Sequence, residues 1–279
     1  MGSIRFSAFQ KRNESVPAEL VPDIEGMWSY WAGTVWPPQM VLQPLDLRDT
    51  DVFMDVGCAI GEHAIYAGCR GGTSGAGVRE SYGLDNPKKM IRLANMLSRA
   101  VKMGHPLADK VWDYHRYGQD ALGGMRMHVE RCQDEITDNA PLLDNVRFAC
   151  VNPYYLPIRS DSVDKLQSLS TISYEPDPLK RRNMIKEQLR VVRAGEGRIH
   201  VLGHDYHPTK MPRNMFDDQP LHLQNEYITL PHEFEEVAGL LGVKLRRVQD
   251  SPVYDPGRHG AVYLVEEKAK PLPKGIFRF

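Results

Sequence analysis

From Asp51 to Glu267 the chain alternates short apolar runs with amphipathic stretches, and glycine, proline or a polar turn marks most changes of period. "DVFMDVG" (51–57), "SYGLD" (81–85), "NVRFACV" (145–151), "DKLQSLST" (164–171), "GRIHVLGH" (197–204), "VKLRRVQD" (243–250) and "AVYLVEE" (261–267) read as strands. Helical spacing appears in 61–69, 86–104, 178–195 and 232–242. In the second of these Met90, Leu93, Leu97 and Val101 share a face and Gly104 marks the stop. In the third, Met184, Ile185, Leu189 and Val192 do so, with Gly195 ending it. Strand and helix in this order call for a largely parallel sheet covered on both faces, and the last two strands suit an antiparallel hairpin.

At 279 residues the chain is long enough for a sizeable core, and 42% hydrophobic with 25% charged residues is ordinary for a globular protein. A formal net charge of −1 argues against a broad nucleic-acid footprint, so no nucleic-acid partner is expected. Cys58, Cys69, Cys132 and Cys150 show no paired spacing, which suits a reducing compartment. The opening residues lack the apolar centre of a secretory leader, and no run reaches the ~20 apolar residues of a membrane span. A cytoplasmic protein is expected, of unstated oligomeric state. One structural domain is expected overall: a tail and lid segment over 1–48, then a core over 49–279 with insertions at about 105–145 and 205–231.

Ligands of such sheets gather at the carboxyl ends of the strands. The first strand–turn–helix, "VFMDVGCAIGEH", has Gly57 and Gly61 where the backbone must turn sharply and approach a ligand. Its spacing is neither G-x-G-x-x-G nor a P-loop. Asp85 closes the second strand, where an acid takes both hydroxyls of a ribose. The pair fits NAD or any adenosyl ligand.

Added together in order, these segments resemble the class I S-adenosylmethionine-dependent methyltransferases of the small-molecule type, which include ubiquinone and sterol C-methyltransferases. The resemblance runs from about Asp51 to Glu267. The family's first motif falls on Asp55-Val56-Gly57-Cys58-Ala59-Ile60-Gly61, with Ala59 in place of the middle glycine. Its ribose acid falls on Asp85, beside Asn86, and its adenine-contacting Asp coincides with Asn152. "LRVVRAGEGRIHV" resembles the turn before the family's fifth strand, with Ala194 for Pro and Glu196 for Gly. The resemblance implies a Rossmann-like, doubly wound, mostly parallel seven-stranded sheet, with lids at the N-terminus and after strand five. It implies S-adenosylmethionine as cofactor, held by Asp55, Gly57, Cys58, Ala59, Gly61, Asp85, Asn86, Asn152, Pro153 and Ser168.

"FACVNPYYLP" (148–157) also resembles the Asn-Pro-Pro-aromatic signature of enzymes that methylate bases and glutamines. In those it follows the fourth strand. Here it follows the third and has Tyr154 for the second proline, so an adenine pocket is the reading.

Methyl transfer asks the protein for orientation and, for acidic nucleophiles, a base. The candidates are His204, where the fifth strand leaves the sheet, with Asp205 and His207 after it, and Tyr174 with Glu175 after the fourth; His204 and Tyr174 are preferred. Along a strand His200 and His204 stand roughly 13 Å apart, too far to share a metal, and none is expected. Trp28, Tyr30, Trp31, Trp36 and His207 are candidate substrate contacts, suited to an apolar or planar small molecule. The expected activity is methyl transfer to a small organic acceptor. A cofactor-binding fold that catalyses a rearrangement or cyclisation, or only binds, is one alternative, and an RNA or protein methyltransferase is another.

Overall fold

The structure, a computed structural model, describes residues 38–105, 143–169, 171–175, 177–204, 230–252, 258–270 and 272. The aromatic segment with Trp28, Tyr30, Trp31 and Trp36 lies outside the described residues, as do His207 and most of the 105–145 and 205–231 insertions. Chain contacts divide it after Cys150 into two compact units.

In the first unit β1 (Val52–Val56), β2 (Glu80–Asp85) and β3 (Val146–Cys150) run parallel with β2 in the middle. All five residues of β1 are buried, the pattern of a strand covered on both faces. The helices are α1 (Pro38–Leu42), α2 (Glu62–Arg70) and α3 (Lys88–Met103). On α3 Leu93, Leu97 and Ala100 recur at helical spacing and are buried with Ile65 and Ala67 of α2 and Phe53 of β1. Gly104 follows α3 as its cap, at the expected stop.

In the second unit the order is β4 (Lys165–Leu169), β5 (Arg198–His204), β7 (Arg258–Lys268), β6 (Val243–Asp250). β4 and β5 are parallel, while β7 runs antiparallel to both β5 and β6. β7 takes the inner place because Ala261, Val262, Tyr263 and Val265 are buried. β6 exposes nearly all of its residues and serves as a charged edge, with Lys244 and Arg246 paired to Glu266. The chain thus has the expected Rossmann-like, mostly parallel seven-stranded sheet with antiparallel C-terminal strands.

α4 (Pro178–Val191) and α5 (Leu230–Leu240) complete this unit. Asp177 caps α4, accepting from the N–H groups of Leu179 (2.9 Å) and Lys180 (3.4 Å). The sequence pattern carries α4 to Gly195, but it ends four residues earlier. Val192 is extended and forms a parallel bridge with Val163, and Arg193 N–H bonds to the Val163 carbonyl at 2.8 Å. Both valines are fully buried, so pairing and burial outweigh continued helix. Gly195 instead serves the turn into β5 and donates to the Val265 carbonyl at 2.8 Å.

α4 also carries an ion pair that apolar periodicity does not announce. The Arg190 guanidinium donates to both oxygens of Glu187 (2.9 and 2.7 Å), and neither side chain is exposed. Arg190 donates further to the carbonyls of Ile158 (2.8 Å) and Leu156 (3.0 Å), while Glu187 accepts the Leu156 N–H at 2.9 Å. The pair therefore clamps the loop that follows "NPYY". Removing one member strands a buried charge. Glu187→Ala should cost about 3–5 kcal/mol in denaturant unfolding. A loss below about 1 kcal/mol would show that the pair does not hold this loop.

Candidate functional site

At the carboxyl end of β1 the chain turns through Gly57, Cys58, Ala59, Ile60 and Gly61 before entering α2. Gly57 and Cys58 both donate to the Leu84 carbonyl, at 2.7 and 3.1 Å, which ties the turn to the end of β2. One residue further, Asp85 braces it: Oδ2 accepts the Ala59 N–H at 2.8 Å and Oδ1 the Asn86 N–H at 2.7 Å. A carboxylate has about four lone-pair positions, so each oxygen keeps one for a ligand hydroxyl. Burial raises the Asp85 carboxyl from its ordinary value, and the two N–H bonds hold it back.

The turn needs its glycine at 61 for two reasons. Gly61 has φ +82°, and a Cβ there would lie 2.4 Å from Cε1 of Phe148. Phe148 stands beside Gly83 in the β2–β3 register, and a Cβ on Gly83 would meet the same ring at 2.4 Å. Ala59 differs in lacking the glycine: it carries φ +48°, a left-handed conformation that suits glycine better.

Three carboxyl groups, of Asp55, Glu62 and Asp85, gather around the turn, with the buried His63 beside them. Asp55 is buried in β1, and Glu62, the first residue of α2, is buried as well. Burial, followed by the fields of Asp85, Asp55 and Glu62, pushes the Cys58 thiol well above its ordinary value. It is a packed, protonated side chain rather than a nucleophile. Burial also raises the Glu62 carboxyl. Glu62 and Phe148 were not among the residues singled out in the sequence. The signal for Glu62 was its position directly after Gly61, at the helix N-terminus.

Asp55, Gly57, Cys58, Ala59, Gly61, Asp85 and Asn86 are thus brought together in the first unit. The other candidates belong to the second. Asn152 is exposed and closes its own turn, Oδ1 accepting the Tyr154 N–H at 2.9 Å and its carbonyl the Tyr155 N–H at 3.0 Å. Pro153 is half-buried beside it. The Tyr154 hydroxyl bonds to the Glu175 carboxylate, and burial with that contact pushes the phenol up to about 12. Ser168, which the resemblance gives to the cofactor, is fully buried in β4, and its hydroxyl accepts from Gln188 of α4 at 3.0 Å. Tyr174 ends a 3-10 turn after β4 and His204 ends β5 opposite Arg258; their side chains lie outside the described ones. His200 is fully buried and meets the Ser251 hydroxyl at 2.9 Å. Among the described residues no group of three His, Cys, Asp or Glu is arranged to hold a metal, and no helix is long and apolar enough to cross a membrane.

No family model matches the chain, and no curated protein matches it by sequence. Solved structures do match it. An S-adenosylmethionine-dependent methyltransferase from Aquifex aeolicus aligns with a TM-score of 0.52 at 15% identity, over 88% of this chain and 98% of that one. A chain of the complex between the Haloferax volcanii Trm112 methyltransferase activator and a methyltransferase aligns at 0.51 and 14% identity, over 89% and 97%. The fold is the Rossmann-like methyltransferase fold. At these identities the likeness is one of architecture, and the side chains of the methyltransferase-fold turn must argue for themselves.

The two small residues of that turn are expected to respond oppositely. Gly61→Ala should lower unfolding free energy by about 2–4 kcal/mol, through the positive φ and the Phe148 contact. Ala59→Gly should leave stability unchanged or raise it by up to about 1 kcal/mol. Denaturant melts of both variants check the pair. A clear loss for Ala59→Gly would mean that its backbone is not left-handed.

Proposed function

We propose that the chain binds S-adenosylmethionine at the turn 57–61 and transfers its methyl group to a small organic acceptor. The observation that carries this reading is the set of carboxylates around the turn. A glycine turn opening a helix ordinarily suits a phosphate, because the first N–H groups of the helix are donors. Here Asp55, Glu62 and Asp85 bring three carboxyl groups to that turn, and Asp85 holds it directly through the Ala59 N–H. A phosphate-bearing nucleotide meets repulsion there, whereas an adenosyl ligand with positive charge and no phosphate is favoured. Asp85, with one acceptor position left on each oxygen, fits the two ribose hydroxyls.

When bound, the cofactor supplies an electrophilic sulfonium methyl. The chain's own part is to hold and orient. Gly57 and Gly61 let the backbone approach, Ala59 and Asn86 keep the Asp85 carboxylate in place, and Asp55 adds to the negative field. From the second unit we assign Asn152 and Pro153 to the adenine ring. Asn152 Oδ1 spends one lone pair on Tyr154 and keeps the other for an exocyclic amine. His204 is assigned as proton acceptor and Tyr174 as its companion at the acceptor. Trp28, Tyr30, Trp31, Trp36 and His207 are assigned to an apolar or planar acceptor. The near-neutral net charge favours a small molecule over RNA, and the unpaired cysteine spacing suits a cytoplasmic setting.

Calorimetry tests the reading. S-adenosylmethionine and S-adenosylhomocysteine should both bind, while NADH and ATP should not. Asp85→Ala should weaken the adenosyl ligands ~10–100-fold, the worth of charge-assisted hydrogen bonds. Equal affinity in that variant, or tighter binding of NADH, sinks the assignment. Asn152→Ala should chiefly raise the cofactor dissociation constant. Loss of turnover with cofactor binding intact would return "NPYY" to a role at the methylated nitrogen.

A further inference from the structure

Tyr154 is held at both ends. Its backbone N–H donates to Asn152 Oδ1 at 2.9 Å, and its hydroxyl donates to Glu175 Oε2. Burial and that carboxylate push the phenol up to about 12, so the hydroxyl remains a donor at neutral pH. Glu175 is itself fastened on three sides. Its Oε1 accepts the Asp177 N–H at 3.0 Å, its own N–H donates to the Ile172 carbonyl at 3.1 Å, and its carbonyl accepts from Arg181 Nη1 at 3.2 Å. Arg181 belongs to α4 and is fixed in turn by Glu233 of α5, whose two oxygens accept its Nε at 2.9 and 3.2 Å. Both of those side chains are buried, and a buried charged pair holds one geometry. A line of contacts thus runs from the interior pair between α4 and α5, through Glu175 and Tyr154, to the exposed amide of Asn152.

We propose that Glu175 is a positioning residue that acts through Tyr154 to fix which way the Asn152 amide faces, and so which base the turn accepts. The inference rests on the adenosyl reading above and adds to it the contact that sets base selectivity. An asparagine amide presents an acceptor oxygen on one side and a two-donor nitrogen on the other, and half a turn about its last bond exchanges them. On an untethered surface turn that exchange is easy, because exposed backbone hydrogen bonds open readily. Here it would bring Nδ2 against the Tyr154 N–H, donor against donor, and leave that N–H unpaired. The sense of the amide is therefore as firm as the place of the Tyr154 N–H. The hydroxyl contact supplies that firmness, since it ties the same residue to a segment held from the protein interior. With Oδ1 kept as the acceptor, a purine carrying an amine at position six is matched. One carrying a carbonyl there sets oxygen against oxygen.

The test uses the full chain and two ligands that differ only along that edge of the base. S-adenosylhomocysteine has the amine, and S-inosylhomocysteine has a carbonyl in its place. In calorimetry the unaltered protein should prefer the first ~10-fold, the worth of one hydrogen bond made or lost. Tyr154→Phe keeps the ring and removes the hydroxyl; it should cut the preference to ~2-fold, because the amide can then turn to suit either base. Glu175→Ala should do the same, and the double variant no more than either alone, since both break one link. Glu175→Gln keeps an acceptor for the hydroxyl and should restore most of the preference. A purely structural role would weaken both ligands together and leave their ratio unchanged, and that result overturns the proposal. Equal binding of the two ligands by the unaltered protein also overturns it, while leaving the adenosyl reading standing. If neither ligand binds the unaltered protein, the adenosyl reading itself fails, and this inference with it.

Discussion

The ring of Phe148 occupies space that two glycines leave open. It stands beside Gly83 in the β2–β3 register and reaches Gly61 at the start of α2, so one side chain spans strand, strand and turn. Neither glycine can gain a methyl group without moving a buried ring. The consequence is positional. With β2 held against β3 and α2 held against both, Leu84 and Asp85 arrive where their carbonyl and carboxylate can fasten Gly57, Cys58 and Ala59. The turn has its shape because the core beneath it is tight.

In the adenosyl reading proposed above, the carboxyl groups around this turn favour one kind of ligand. The methyltransferase fold shares its strand–turn–helix with nucleotide-binding sheets in general, and the shape alone suits an anion. In that reading three carboxylates oppose the preference. Asp85 is braced by two backbone N–H groups, while Asp55 and Glu62 are withdrawn from water. Selectivity in such a site comes as much from what it repels as from what it holds.

Much of this was readable in the residues. Continuous apolar runs such as "VFMDV" became buried parallel strands, and the Leu93/Leu97 face of α3 became core, because period and burial are directly linked. The position of Asp85 at the end of β2 was legible because it depends on strand order. What stayed hidden depended on side chains meeting across the sequence. Ser168, which the resemblance gives to the cofactor, also accepts from Gln188, twenty residues away, a contact that alignment does not show. α4 had a glycine stop at 195, but the long-range bridge between Val163 and Val192 ended it first. That β7 would lie inside β6 follows from comparing the burial of two polar-flanked strands, which periodicity does not rank. Glu62 was passed over because a Glu after glycine reads as an ordinary helix start; only its burial and an Oε2 without a partner among the described residues distinguish it.

The loop after "NPYY" is fastened from below by Arg190 and Glu187, and at Asp161 the Lys268 ammonium adds a contact of 2.5 Å. Such fastening changes the thermodynamics of anything that touches Asn152 or Tyr154. A loop that must be ordered on binding spends part of its contact energy on lost chain entropy. Here folding has already met that cost, inside α4, far from solvent and independent of any ligand. Contacts at the turn are then available nearly in full, and affinity there should track the chemistry of the ligand rather than the mobility of the chain.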